Sequence, residues 1–526
     1  MRLRVWLTRW IPELLSAVAI LGTASPAILK SRSAVSPATA DQISAIAGAS
    51  PSAAVPPLVL PLAGLCLLAF VALAVGRERR SPRRLALDAL VVALVAIGAA
   101  WFRTPLEIHP LRTLAAVGLF GLGLDLLLLP KNPSARIQAF KRSLTLFLFV
   151  FALGLRWGEL LRSIRLPVDP DVVKYLRITR EMRHPFDTEV REPLPIWGLK
   201  TSCWLFGDTE SSLRVASVFF SLAALVATFL LALRLFAFRI AFLTVLLLSW
   251  WPLSRAYSVR GLRDELLAAC AWFFMAALWR TANRTAGTGA PAEIVVAFTA
   301  VGLTSLTAVQ VAALLLLWAT VFWRRVPWRA ALFCLLASFL TLAPYLLTNL
   351  IARGDPFLSV NVYARGFANW DFCDTPGFPS CAEIQKDLYL GERLTGARYV
   401  FQLHSPSQIV SRLARGYGRI LRGHFPGVFD VPARLRFLLP AYWLGVLALL
   451  LVRPGRYLVT ATLIWLGPIA FLAGSNRFPL DWRLLSPVWV MQASAIVIFG
   501  LIVLTKTRAA LARLMVPDQR RRATKG

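Results

Sequence analysis

Acidic and basic side chains stand close together at three points of this sequence, each beside an apolar run. The first is Leu166-Pro-Val-Asp-Pro-Asp-Val-Val-Lys-Tyr-Leu-Arg-Ile-Thr-Arg-Glu-Met182, the second Arg191-Glu192-Pro193-Leu194, and the third Arg260-Gly-Leu-Arg263-Asp264. A carboxylate can take up a proton from a reacting hydroxyl. A guanidinium matches the oxygens of a phosphate in a bidentate fork. Local structure explains part of the pattern without chemistry. Asp169 before Pro170 is a helix-start signal, because Asp caps free amides and Pro fits the first turn. Asp171 then falls inside that turn, where the helix dipole favours a carboxylate. Capping accounts for Asp169 better than for Asp171. Downstream, Arg177, Arg180 and Arg183 form one basic face, and Val172, Val173 and Leu176 an apolar one. Such a helix would lie along a membrane surface.

The elements around these residues are long apolar runs. Of the 526 residues, 57% are hydrophobic and 16% charged, against about 45–50% and about 25% in soluble domains. Runs near the roughly 20 residues of a bilayer span are read at about 10–29, 57–75, 85–101, 111–129, 144–161, 214–235, 240–254, 264–280, 294–306, 308–323, 330–351, 437–452, 457–474 and 487–505. The expected fold is an all-α polytopic membrane protein of about 14 transmembrane helices. Two large extracytoplasmic loops, 162–213 and 352–436, carry interfacial helices. The net charge of +31 sits mostly in short clusters between apolar runs. That placement fits cytoplasmic loops and contact with anionic lipid rather than nucleic acid.

Charge also sets the orientation. With Arg2, Arg4 and Arg9 inside, alternation puts Arg77, Arg79, Arg80, Arg83 and Arg84 inside. It does the same for Lys131, Arg136, Lys141 and Arg142, then Arg324, Arg325 and Arg329, then Arg453 and Arg456, and finally Arg520, Arg521 and Arg522. This agreement supports splitting 294–323 into two spans, 294–306 and 308–323, over reading it as one long helix. Both termini are then cytoplasmic, in a plasma (inner) membrane. The basic start and first apolar run are interrupted by Pro12 and Glu13, which favours a retained anchor over a cleaved signal. The stretch 31–56, rich in Ser, Ala and Pro, reads as a flexible outer loop.

Of the 6 cysteines, Cys66, Cys203, Cys270 and Cys334 lie in or beside apolar segments as packing residues. Cys373 and Cys381 bracket a polar loop and are a disulfide candidate, with two free thiols as the alternative; a disulfide there requires an extracytoplasmic compartment. His109, His184, His404 and His424 have no metal-ligand spacing. In 405–423, Ile409, Leu413, Tyr417 and Ile420 fall on one helical face and Arg412, Arg415, Arg419 and Arg422 on another. This is an interfacial amphipathic helix, lying on anionic lipid or gathering lipid phosphate. The stretch from Gly354 through Asn361 and Tyr363 follows a span on the outer side and has no assigned role.

The stretch Pro170-Asp171-Val-Val-Lys-Tyr175-Leu-Arg-Ile178-Thr-Arg180-Glu181-Met182 resembles the first-loop signature of GT-C glycosyltransferases. The branch is that of lipid A aminoarabinose transferases and protein O-mannosyltransferases. Arg191-Glu192-Pro193-Leu194 resembles its Lys-Pro-Pro-Leu. Trp204-Leu-Phe-Gly207 with Glu210 and Arg214 resembles its Leu-Phe-Gly-x-x-Glu-x-x-x-Arg, Glu210 and Arg214 being a structural helix-start pair. Arg260-Gly-Leu-Arg263-Asp264 resembles its second Asp motif, and Arg483-Leu-Leu-Ser-Pro487 its Arg-Tyr-Leu-x-Pro. The residue after the first acid is Val172, where the family has a second acid. The resemblance is strongest over 144–280 and extends to about 505. Residues 1–142, an N-terminal module of about four spans, lie outside it; 143–510 form the GT-C-like core and 511–526 a basic cytoplasmic tail.

The resemblance implies transfer of a glycosyl group from a polyprenyl-phosphate sugar to a lipid, glycan or protein acceptor on the extracytoplasmic face. Asp171 is implied as general base, with Asp264 and Asp169 as further catalytic candidates. Arg191 is the first candidate for the phosphate, then Arg260 and Arg263; Glu192, Lys174 and Tyr175 complete the substrate-binding set. Direct attack would invert the anomeric carbon. No cofactor is firmly implied, and a divalent metal, though compatible with this chemistry, has no support in the sequence. Two other functions fit the same composition: a transporter or flippase of lipid-linked glycans, and a non-catalytic assembly partner of the same fold. Transporters place ionisable groups inside spans, whereas the acids here cluster in outer loops.

Overall fold

A computed structural model describes residues 133–164, 166, 169–283, 290–420, 438–475 and 489–515. The four expected spans before residue 130, the stretch 31–56, the basic clusters before residue 133, the Arg483–Pro487 motif, Arg422 and the residues from 516 onward lie outside the described residues. So do Cys66, His109 and His424. Every regular element among the described residues is helical.

The helices are α1 (Pro133–Ser163), α2 (Pro170–Glu181), α3 (Pro193–Phe206), α4 (Glu210–Leu235), α5 (Phe238–Trp250), α6 (Pro252–Tyr257), α7 (Asp264–Asn283), α8 (Ala290–Thr304) and α9 (Leu306–Val321). Then come α10 (Trp328–Arg353), α11 (Leu358–Phe372), α12 (Cys381–Lys386), α13 (Pro406–Arg419), α14 (Leu438–Leu451), α15 (Arg453–Ala473) and α16 (Trp489–Met515). Among them α1, α4, α7, α10 and α15 are long and apolar enough to cross a membrane, and α5, α8, α9, α14 and α16 are shorter apolar helices. The run 240–254 ends at Trp250 because Pro252 starts a separate short helix, and α1 runs through the expected module border at 142/143. The tail's first residues, 511–515, continue α16.

The run 294–323 is two helices, broken at one residue. Ser305 has an extended backbone, and its side chain caps α9 by accepting from the Ala308 amide at 3.2 Å. The chain reverses there. The α8 start meets α7's last turn, where Arg280 pairs with Glu293. The α9 end returns to the same level, placing Trp318 and Trp323 with Trp279 and Tyr457. This end of the bundle also holds Arg453, over Trp279 and Trp323, and Lys141, over the Phe238 ring. The opposite end carries the starts of α4, α7 and α9 and the finish of α10 and α15. The helices α2, α3, α11 and α13 gather there.

The main core is built by α1, α4, α5, α7, α8, α9, α14, α15 and α16, with Ala331 and Cys334 from the start of α10. The helix α10 differs. Leu332, Phe333, Leu336, Phe339, Leu340, Leu347 and Ile351 are exposed along it. A stripe of that extent suits an apolar surrounding rather than water. A smaller core joins α2 and α3 to the start of α4 through Val172, Tyr175, Ile178, Ile196, Leu199 and Leu213.

On α13 the structure corrects the expected surface helix. Arg412 is buried, whereas Arg415 and Arg419 are exposed. The cause is close packing on α15: Gly416 meets the Ala470 carbonyl, and Gly474 meets the Arg412 carbonyl. A Cβ at Gly416 would lie 1.7 Å from that oxygen, which no rotamer relieves. Gly416→Ala is therefore expected to push α13 off α15 and cost about 3 kcal/mol, read as a lower unfolding midpoint in mixed micelles. A midpoint equal to wild type would show that the two helices do not pack this way.

Candidate functional site

At the end of the bundle where α2, α3, α7, α9 and α11 converge, two guanidiniums meet one phenol. Arg191 donates from Nη1 to the Tyr363 hydroxyl at 2.6 Å and from Nη2 to Asp171 Oδ1 at 3.0 Å. Arg263 donates from Nη2 to the same Tyr363 hydroxyl at 3.1 Å. Its Nη1 pairs with Glu192. Glu192 is 1% exposed and also accepts from the Leu306 amide and the Ser359 hydroxyl, both at 3.3 Å. The Arg191 guanidinium lies over the Tyr175 ring, 5.2 Å from its centroid. Burial pushes the Tyr175 phenol well above its usual range, so it stays protonated and presents Arg191 with a neutral ring.

Local turns set these side chains. The Thr188 hydroxyl donates to the Arg191 carbonyl at 2.6 Å, and the Arg191 amide donates to the Thr188 carbonyl at 2.9 Å. That closed turn aims Arg191 at α2 and starts α3 at Pro193. On the other side, Gly261 has φ +74 and sits against the Val172 side chain. Only this close approach lets the 260–263 segment bring Arg263 onto the α2–α3 pair. Arg214 ties the layer together by donating to the carbonyls of Ser163 and Leu166, while Glu210 is exposed in the first turn of α4.

The structure divides the expected site residues. Asp171, Arg191, Tyr175, Arg263 and Glu192 come together. Asp264 opens α7 beside them, and its charge acts on Tyr175 and Arg263. Asp169 instead caps α2, its Oδ1 accepting from the Asp171 amide at 3.0 Å. The cap uses this carboxylate to hold Asp171 in place. Lys174 is exposed, and among the described residues it makes none of these contacts. Arg260 is exposed and stacks on Tyr257, 4.4 Å from the ring centroid. Val173, expected on the apolar face of α2, is 52% exposed.

Val172 has no exposed surface and packs against Gly261 and Leu213. The second acid of the resembling pattern would stand here in an apolar wall. Val172→Glu is expected to destabilise the protein by several kcal/mol, about the cost of burying an unpaired polar group, and to add no activity. Thermal unfolding and monodisperse yield check this; a variant as stable as wild type would mean that the 260–263 segment yields to the carboxylate.

Three participants carry no motif. Tyr363 and Ser359 come from α11, and Tyr389 stands near enough for the charges of Arg191, Asp171 and Arg263 to act on it. A buried polar group also lies inside the bundle. Arg156 has no exposed surface and donates to the hydroxyls of Ser221 at 2.7 Å and Ser254 at 3.1 Å. Buried Glu265 acts on it electrostatically. The lone Arg within the run 144–161 was the available signal.

Beyond α11, Cys373 and Cys381 are joined by a disulfide. With Asp374 they form the metal-capable group among the described residues, but sulfurs bonded to each other are not thiolate ligands. Cys203, Cys270 and Cys334 are buried.

No known protein-family model matches the sequence, and no curated protein matches it. Among solved structures, the crystal structure of ArnT from Cupriavidus metallidurans bound to undecaprenyl phosphate is similar at 16% identity and a TM-score of 0.43, over 70% of this chain and 63% of that one. The apo state of ArnT from the same organism is similar at 16% identity and a TM-score of 0.31, over 68% of this chain and 76% of that one.

Proposed function

We propose that this chain transfers a glycosyl group from a polyprenyl-phosphate-linked sugar to a lipid, glycan or protein hydroxyl on the extracytoplasmic face of the plasma membrane. The observation that carries the reading is Arg191, which bridges Asp171 and Tyr363 while Arg263 shares the same phenol. The motif resemblance around Asp171, Arg191 and Asp264 supports it. The two guanidiniums receive the phosphate and stabilise the charge that builds on its oxygens as the sugar leaves. Arg263 is anchored by a buried carboxylate, so it stays in place. The partner of Arg191 is Asp171, whose side chain is 26% exposed, so Arg191 is the one able to exchange partners. A phosphate that takes Arg191 leaves Asp171 to accept the proton of the attacking hydroxyl. The attack is direct and inverts the anomeric carbon. Asp264 orients this group through Arg263.

Charge alternation supports about 14 spans with both termini cytoplasmic, and the disulfide suits an oxidising outer compartment. The test uses full-length protein in detergent with a polyprenyl-phosphate sugar. Wild type is expected to form glycosylated acceptor and free polyprenyl phosphate in equal amounts. Loss of donor without any glycosylated acceptor would overturn the reading.

A second reading, movement of a lipid-linked glycan, is favoured by the ionisable pair Arg156 and Glu265 inside the bundle. Reconstituted vesicles distinguish the two: carrier crossing without transfer would favour movement.

A further inference from the structure

A cavity of about 290 Å³ opens where α13 crosses the outer end of α15, lined by Asp371, His404, Gln408, Arg412, Arg415 and Ser475. It is separate from the Asp171 site. Tyr363 and Asp371 are both on α11, eight residues apart, so about 12 Å of helix separates them. The Arg412 side chain is 8% exposed. Its Nη1 donates to Asp371 Oδ2 at 2.7 Å and to His404 Nε2 at 2.6 Å, and its Nε donates to the Phe471 carbonyl at 3.3 Å. Its Nη2 is buried with no hydrogen-bond partner among the described residues. A buried guanidinium nitrogen without an acceptor is costly.

The groups around it leave a net positive site. Asp371 is neutralised by Arg412 and accepts a further bond from the Tyr399 hydroxyl at 2.5 Å. Burial pushes His404 below its usual range, so the ring is neutral and its Nε2 accepts from Arg412. Arg415 stands exposed one turn along α13, and Gln408 one turn before Arg412. The cavity is much larger than the roughly 30 Å³ share of one water. Its wall ends at Ser475, just past the last residue of a helix long and apolar enough to span a bilayer. A helix that fills the hydrocarbon core ends next to the headgroup layer.

We propose that this cavity is a second subsite, for a phosphate group, held by the unpartnered Nη2 of Arg412 together with Arg415 and Gln408. The inference stands apart from the transfer reading. The phosphate belongs to a lipid headgroup or is free in solution.

Purified full-length protein is titrated with inorganic phosphate and with dihexanoyl phosphatidic acid, and binding is followed by ligand-dependent thermal stabilisation. Arg415→Gln is the variant of choice, because Arg415 is exposed and its loss strands no partner, whereas loss of Arg412 would strand Asp371. It is expected to weaken binding about tenfold, as for one lost charge-assisted hydrogen bond. The same loss is expected in an Arg191→Gln background, which separates this cavity from the Asp171 site. Binding of both probes points to free phosphate as sufficient; binding of phosphatidic acid alone points to a headgroup. The proposal is overturned if neither probe binds, if Arg415→Gln weakens binding less than threefold, or if Arg191→Gln alone removes all binding.

Discussion

Asp171→Asn is expected to lower glycosyl transfer by about 10²–10⁴-fold, the usual contribution of a positioned general base, while the protein folds as wild type does. The two halves of that expectation rest on different features. Asparagine keeps an oxygen for Arg191 and keeps the size of the side chain, so the local geometry survives. The Asp171–Arg191 pair is partly open, with side chains 26% and 12% exposed. Pairs of that kind contribute about 0–1 kcal/mol, so the unfolding midpoint moves little. What the amide lacks is a lone pair basic enough to take the acceptor's proton. Donor binding is expected to hold or tighten, because Arg191 no longer has a carboxylate competing with the phosphate. The loss therefore falls on kcat rather than KM. Unchanged transfer would remove Asp171 from the role of base and point to Asp264. A loss of transfer matched by a fallen midpoint would make the effect structural.

The five long apolar helices among the described residues were legible because hydrocarbon leaves an apolar run of helical length one way to satisfy its backbone. Charge alternation also supported a break within 294–323, which falls at Ser305, two residues before the expected position. The acids and guanidiniums of the site were legible as motifs. The phenol shared by the two guanidiniums was not. Tyr363 lies 172 residues from Arg191, on a helix whose sequence carries no signature of its own. Pattern also fails where a helix has two candidate faces. Periodicity grouped Arg412 with Arg415 and Arg419, and it does not say which face docks. Gly416, four residues after Arg412 on the same face, was the mark of close packing. Val172 is a different case. Read as a missing acid, it looks like a broken pair; packed against Gly261, it is the wall that positions the 260–263 segment. The same substitution is a loss in sequence and a fit in structure.

Glu192→Ala is expected to be the most destabilising single change at the site, at about 3–5 kcal/mol. Removing one partner of a buried ion pair leaves the other charge uncompensated. Three groups each lose an acceptor together: the Arg263 guanidinium, the Ser359 hydroxyl and the Leu306 amide. The last matters for the fold. Leu306 opens α9, and a first-turn amide has no intrahelical acceptor. The Glu192 carboxylate, far away in sequence, completes that helix start and thereby clamps α9 to α3 and α11. Glu192→Gln keeps the shape and an acceptor oxygen, so it is expected to cost less, about half as much. The double variant Glu192→Gln with Arg263→Met removes both charges and is expected to recover part of the loss, since apolar replacement of a buried pair is often near neutral. It is not expected to recover transfer, because Arg263 also holds Tyr363 and is the proposed contact for the phosphate. Reversible unfolding in mixed micelles measures the four corners of this cycle. If Glu192→Ala costs less than about 1 kcal/mol, the carboxylate does not clamp the three helices. If the double variant is as damaged as the single one, charge is not what Glu192 supplies. Stability recovered without transfer would separate the two duties of Arg263, holding the layer and meeting the phosphate.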